Sequence, residues 1–144
     1  MEEKQELIRA AMAARERAYA PYSHFSVGAA IRTESGEIFT GCNIENISYS
    51  ATICAERTAL FAAVAEGYRE FTALAVSGGE QGKDPHDFCV PCAVCLQVLR
   101  EFCSPEFPVY VVKSETEVRE YQLKELLPVV FDSLGKEKDY GSCI

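Results

Sequence analysis

Two short motifs hold the residues best suited to chemistry: Cys54-Ala55-Glu56-Arg57, within TICAERTAL, and Pro91-Cys92-Ala93-Val94-Cys95, within VPCAVCLQVL. Cys92 and Cys95 are three apart, straight after Pro91, at the head of an apolar pattern of helical period. Pro favours the first helical position, and two thiols on the first turn fall on one side of a helix N-terminus. The positive end of the helix dipole lowers thiol pKa values there. Cys54 opens a second helical stretch, with Glu56 two residues behind it. Two such helix starts facing each other would hold one Zn²⁺ by three thiolates and leave the fourth position open to water, with Glu56 placed to move protons. An open zinc position beside a carboxylate means hydrolytic chemistry, whereas a closed structural site would require a fourth ligand.

Each piece taken singly admits a plainer reading. Cys92-x-x-Cys95 alone suits a redox pair or half of a structural zinc site. Cys89 extends it to a spacing that begins like an iron–sulfur run, but that pattern then wants a cysteine where this chain has Leu99. Cys42, Cys103 and Cys143 read as small apolar fillers. Glu56 alone could be a solvated helix residue or an ion-pair partner of Arg57. His24 and His86, the only 2 histidines, have no metal-ligand spacing.

Composition sets the frame. A chain of 144 residues, 48% hydrophobic and 25% charged, suits one globular domain over 1–144 with a proper core. The 7 cysteines are an odd number, and the charged, amphipathic N-terminus lacks the apolar centre of a signal peptide. Thiolate chemistry in the cytoplasm is therefore expected over disulfides. A formal net charge of -8 argues against a polyanionic partner such as nucleic acid. No apolar run is long enough to span a membrane. The substrate expected is small and uncharged.

The positioning elements follow from periodicity. A helix is predicted over 3–20, ending before Pro21, and PYSHF then makes a turn. VGAAIRT and EIFTGCNI read as a β-hairpin, with the loop ENISYSAT leading into a helix from Cys54 to about Glu66, stopped by Gly67. FTALAVSGG reads as a strand buried on both faces, and GGEQGKDPHDF as a loop. A helix from Cys92 to about Phe102, strands PVYVVKS and VREYQL, a short helical turn at LKELLP and a polar tail over about 132–144 complete the chain. This is an α/β order. It predicts a three-layer α/β/α sandwich with a mixed sheet of about five strands, a hairpin at one edge and helices on both faces. Both cysteine-bearing helices then begin near strand carboxyl ends, where sites usually lie.

With these motifs in view, the chain resembles the small, homotetrameric, three-cysteine class of the cytidine deaminases over nearly its whole length. The matches are Cys54-Ala55-Glu56, Pro91 to Cys95, AYAPYSHFSVGAA around Phe25, GCNIEN at Asn43 and Glu45, and the ELLP segment followed by Phe131. The resemblance implies zinc-dependent deamination of cytidine and 2′-deoxycytidine in pyrimidine salvage. It implies Cys54, Cys92 and Cys95 as ligands of one Zn²⁺ per subunit and Glu56 as the proton shuttle, with Arg57 donating to thiolate sulfurs. Phe25, Asn43, Glu45, Ala55 and Phe131 are implied as substrate contacts: Asn43 and Glu45 on the ribose 3′-hydroxyl, Phe25 against the pyrimidine, and Phe131 in a neighbouring subunit's site. Tyr49 is a further candidate from across an interface. The chain departs from the family's usual Pro-Cys-Gly-x-Cys-Arg-Gln at Ala93 and Leu96. Loss of a cation at Leu96 is expected to alter a subunit contact or the field near the site. The loop 78–89, with its extra Cys89, is expected to shape the entrance.

Overall fold

The computed structural model describes residues 2–134, so Cys143 and nearly all of the expected polar tail lie outside the described residues. The elements are α1 (Glu2–Ala14), β1 (Phe25–Thr33), β2 (Ile38–Cys42), α2 (Ala55–Ala65), β3 (Phe71–Glu80), α3 (Ala93–Phe102), β4 (Pro108–Val112), β5 (Val118–Gln122) and α4 (Leu123–Leu126). The sheet runs in the order β2-β1-β3-β4-β5. β3 and β4, joined by the helical crossover α3, are the neighbouring strands that pair in parallel, while β2 and β3, joined by α2, run the same way with the antiparallel β1 between them. β4 and β5 form a second antiparallel hairpin, so both edges of the sheet are hairpins rather than one.

Strand alternation divides the core into two layers. Ala73 and Ala75 of β3 face α1, packing with Leu7, Ile8 and Ala11. Leu74 and Val76 point the other way, into a cluster with Ala59 and Leu60 of α2 and Leu96 and Leu99 of α3. β3 is thus covered on both faces, and Ala73 to Gly79 are all buried. Leu96 is 5% exposed within this cluster. It is a core side chain joining α3 to α2, so in this chain the position packs rather than carries charge.

Three local expectations shift, each through a long-range contact. The first helix stops at Ala14, with one tight 3₁₀ turn over Arg15–Arg17. The chain then turns extended because the Tyr19 N–H donates to the Asn43 carbonyl and the Glu45 N–H to that of Tyr19. Phe25 lies in β1, paired with Glu80, and not in the preceding turn. Pro91 stands outside its helix, and Cys92 is the N-cap. At the other end of α2, Gly67 takes φ +104°, the left-handed stop expected of it.

α2 sits unusually close to the sheet. A Cβ at Gly41 of β2 would lie 2.4 Å from the Ala59 nitrogen and 2.7 Å from the Ala55 oxygen. The bare strand surface at Gly41 therefore fixes the height at which α2 begins. Gly41→Ala is expected to destabilise the fold by about 1–3 kcal/mol through overpacking. Urea unfolding reads this as a lower midpoint, and an unchanged midpoint would contradict the close approach.

Candidate metal centre and active site

α2 and α3 begin at one place. Cys54 is the N-cap of α2 and Cys92 the N-cap of α3, and neither sulfur accepts from a backbone N–H of its helix's first turn. Cys95 lies on the first turn of α3 and is fully buried. The three sulfurs lie within 4.8 Å of one another, with Cys54–Cys92 at 3.8 Å and Cys92–Cys95 at 3.5 Å. Tetrahedral zinc, about 2.3 Å from each thiolate, sets its sulfurs roughly 3.8 Å apart. The donor set and its spacing therefore fit zinc.

Charge at the cluster is arranged to match. The Cys54 thiol is held down at about 5, first by the hydrogen bond it accepts from Cys95 and then by Arg57. The Cys95 thiol, on the other side of that bond, is pushed up. Arg57 places Nη2 3.4 Å from the Cys54 sulfur, and that contact raises its own pKa. The guanidinium thus brings positive charge to a group of thiols that would otherwise repel one another on ionising.

Glu56 follows one turn-step behind Cys54 and is 4% exposed. Burial, then the negative charge of Cys54, raises its carboxyl to about 7. A carboxyl so placed is half-protonated near neutral pH, which suits a group that must both accept and donate. The Ala55 side chain is fully buried in the core. What it can offer a ligand is its backbone N–H, one of the donors a first helical turn leaves without a helical partner.

Phe25 neighbours Cys89 across Gly78. Its ring edge and the Cys89 sulfur both lie over Gly78, where a Cβ would sit 3.1 Å and 2.7 Å from them. Phe25 and Cys89, with Gly78, Gly79, His86 and Phe88, line a small cavity of about 220 Å³. Cys89 feels the charges of Glu56 and Cys54, and burial pushes its thiol up to about 11. It is not one of the three clustered sulfurs.

Asn43 and Glu45 are buried just past the end of β2, and both are engaged by the protein itself. Asn43 Oδ1 accepts from the Val27 N–H at 2.9 Å, and its Nδ2 donates to the Phe25 carbonyl at 2.8 Å. Glu45 accepts from the N–H groups of Tyr22 and Ser23, from the Ser23 hydroxyl, and from the Tyr49 hydroxyl at 3.5 Å. The Tyr49 contact is thus with its own chain. Ser23 was not singled out by sequence reasoning, since only the fold brings the PYSHF turn onto Glu45. Phe131 lies against α3, where the Gln97 Nε2 donates to its carbonyl at 2.8 Å, and the residue is 65% exposed.

The model of the cytidine and deoxycytidylate deaminase zinc-binding region matches residues 1–111. The chain belongs to this deaminase family. Among its relatives, the cytidine deaminase of Sporosarcina psychrophila is 47% identical over 88% of this chain and 90% of its own length. That of Halalkalibacterium halodurans is 44% identical over 90% of this chain and 94% of its own. The crystal structure of cytidine deaminase from Burkholderia pseudomallei superposes with a TM-score of 0.80 at 49% identity, covering 88% of this chain and 97% of that one. These likenesses agree with the layered fold and with a zinc-binding deaminase. Among the described residues no helix is long and apolar enough to cross a membrane.

Glu45 gives this deaminase an acid-sensitive joint. Hydrogen bonds, first from the Ser23 hydroxyl and then from backbone N–H groups, hold its carboxyl below the usual range. The ionised form is favoured by folding, so its contribution is complete above the unfolded pKa of about 4.3 and is lost as pH falls through the lower folded value. Thermal melts of the wild type and Glu45→Gln should differ at pH 7 and converge towards pH 3. A difference that stays constant with pH would contradict this.

Proposed function

We propose that this chain catalyses the hydrolytic deamination of cytidine and 2′-deoxycytidine to uridine and 2′-deoxyuridine, releasing ammonia, as a cytoplasmic enzyme of pyrimidine salvage. The observation that carries the reading is a buried carboxyl, Glu56, raised to about 7 beside three thiols spaced for zinc. Relatives named cytidine deaminase at 44% and 47% identity support the same substrate.

Cys54, Cys92 and Cys95 hold one metal ion per subunit. Bound there, zinc supplies a Lewis acid that brings the pKa of a water ligand down towards about 7. Glu56 takes a proton from the attacking water, gives it to N3 of the cytosine ring, and carries the next to the departing amine. One group serves as base and then acid because its two forms are close in energy at neutral pH. Arg57 offsets the net negative charge of three thiolates, which would otherwise oppose loss of that first proton.

Recognition falls to groups around the same point. The Ala55 N–H donates to the base carbonyl, and Phe25 stacks on the pyrimidine face. Asn43 has a second Nδ2 hydrogen beyond the one given to Phe25, and it donates that hydrogen to a sugar hydroxyl. Glu45 accepts from the same hydroxyl, and its charge would repel a 3′-phosphate. This favours a free nucleoside, as does the net charge of -8. Phe131 reaches the site of a neighbouring copy in a homotetramer, which accounts for an aromatic residue left 65% exposed.

Loss of the aminated base's absorbance is the assay, run with cytidine, deoxycytidine, cytosine, CMP, adenosine and blasticidin S. Turnover is expected for the two cytidine nucleosides, and metal-replete protein inactive on both would overturn the reading. Glu56→Gln should keep its zinc and lose at least about 10²–10⁴-fold in kcat. Appreciable activity in that variant would remove Glu56 from its role. Phe131→Ala should raise KM for cytidine with zinc content unchanged, and an unchanged KM would count against a shared site.

A further inference from the structure

Leu127 closes α4 with a backbone hydrogen bond to Leu123, and the described residues after it, 128–134, have no regular secondary structure, so side-chain contacts matter for holding them. The holding is done by α3, the helix that begins with Cys92 and Cys95. Gln97 and Arg100 are three apart and so share one helical face. Gln97 Nε2 donates to the Phe131 carbonyl at 2.8 Å. Arg100 Nη2 pairs with the Asp132 carboxylate at 3.5 Å, while its Nη1 donates to the Cys103 carbonyl at 3.1 Å and so is braced from behind. The Arg100 side chain is 20% exposed in that pair, which limits its freedom to swing away.

The result is a fixed backbone carrying a free ring. Phe131 is gripped at its own carbonyl and at the next side chain, yet its ring remains open to solvent, with Val129 and Leu134 exposed on either side. Ordering a chain segment costs conformational entropy, and presenting apolar rings to water gains nothing by itself. A clamp of this form is useful if the ring must arrive at a partner already in its bound position, because the ordering cost is then met before association.

We infer that Gln97 and Arg100 are positioning residues that set the reach and angle of Phe131 for the site of a neighbouring subunit; this rests on the reading of Phe131 given above. One helix then performs two tasks: its first turn supplies metal ligands to its own site, and its middle aims the aromatic side chain that closes the next one.

The test uses intact, zinc-loaded enzyme and a double-mutant cycle. Gln97→Glu keeps the shape but removes the donor, since a carboxylate only accepts. It should raise KM for cytidine roughly 3- to 10-fold, the range expected for one lost hydrogen bond, with kcat within about twofold and oligomer and zinc content unchanged. Asp132→Asn, which removes the negative charge paired with Arg100, should raise KM in the same direction. In a Phe131→Ala background neither change should raise KM further. A role in stability alone would lower the melting temperature without this dependence on Phe131. If Phe131→Ala raises KM while Gln97→Glu and Asp132→Asn do not, the clamp is overturned and the shared site stands. Equal KM increases with and without the Phe131 ring would also overturn it. If Phe131→Ala itself leaves KM unchanged, the shared site and the clamp fall together.

Discussion

Two helix N-termini without side-chain caps converge on three thiols, and the rest of the molecule depends on keeping them there. Ser, Thr, Asp or Asn would ordinarily fill an N-cap and accept from the helix's free N–H groups. Here Cys54 and Cys92 occupy both N-caps and make no such bond. The positive ends of α2 and α3 instead face the sulfurs, which favours thiolates. Thiolates so close repel one another, so the arrangement is stable only with positive charge between or beside them. Arg57 supplies part of it, at 3.4 Å from Cys54, and a cation bound by the three sulfurs, which are spaced to hold one, would supply the remainder.

The sheet sets the geometry of that convergence. Gly41 lets α2 lie against β2 backbone to backbone, and Leu96 and Leu99 lock α3 into the same apolar layer as Ala59 and Leu60. Both helices are therefore referred to one rigid layer. Glu56 is carried into the layer's edge by the same packing, and its burial raises the carboxyl to the neutral range. The position that makes Glu56 difficult to ionise is also the one that puts it beside Cys54. Arg15 ties down the long connection that follows β3, donating to the carbonyls of Ser26, Glu80 and Lys83, so the chain returns to Cys92 from a fixed start.

What was legible in the sequence was local. Cys92-x-x-Cys95 carries its geometry in its spacing, because residues three apart share a helical face, and Cys54-Ala-Glu56 marks a helix start with a carboxyl in its first turn. The strands and helices were legible for the same reason, in the unbroken apolar run of FTALAVSGG and in the apolar period after Cys92. What was hidden depends on residues far apart in the chain. Periodicity extended the first helix to residue 20, but pairing of Tyr19 with Asn43 and Glu45 ends it sooner. Phe25 read as a turn residue until its pairing with Glu80 drew it into β1. That Leu96 packs into the apolar layer between α3 and α2 was not read from the sequence, because a single residue type cannot tell which side of α3 is inside. The grip of Gln97 on Phe131 joins residues 34 apart and leaves no local signal.

The central claim is an open three-sulfur metal site, with Cys89 nearby but outside it. X-ray absorption at the zinc edge of the loaded enzyme measures this directly, since it counts sulfur neighbours around the metal. The account expects three sulfurs at about 2.3 Å and one lighter atom, oxygen, at about 2.0 Å, with the same spectrum from Cys89→Ser. Four sulfurs in the wild type, falling to three in Cys89→Ser, would mean a closed site without room for water, and would contradict it.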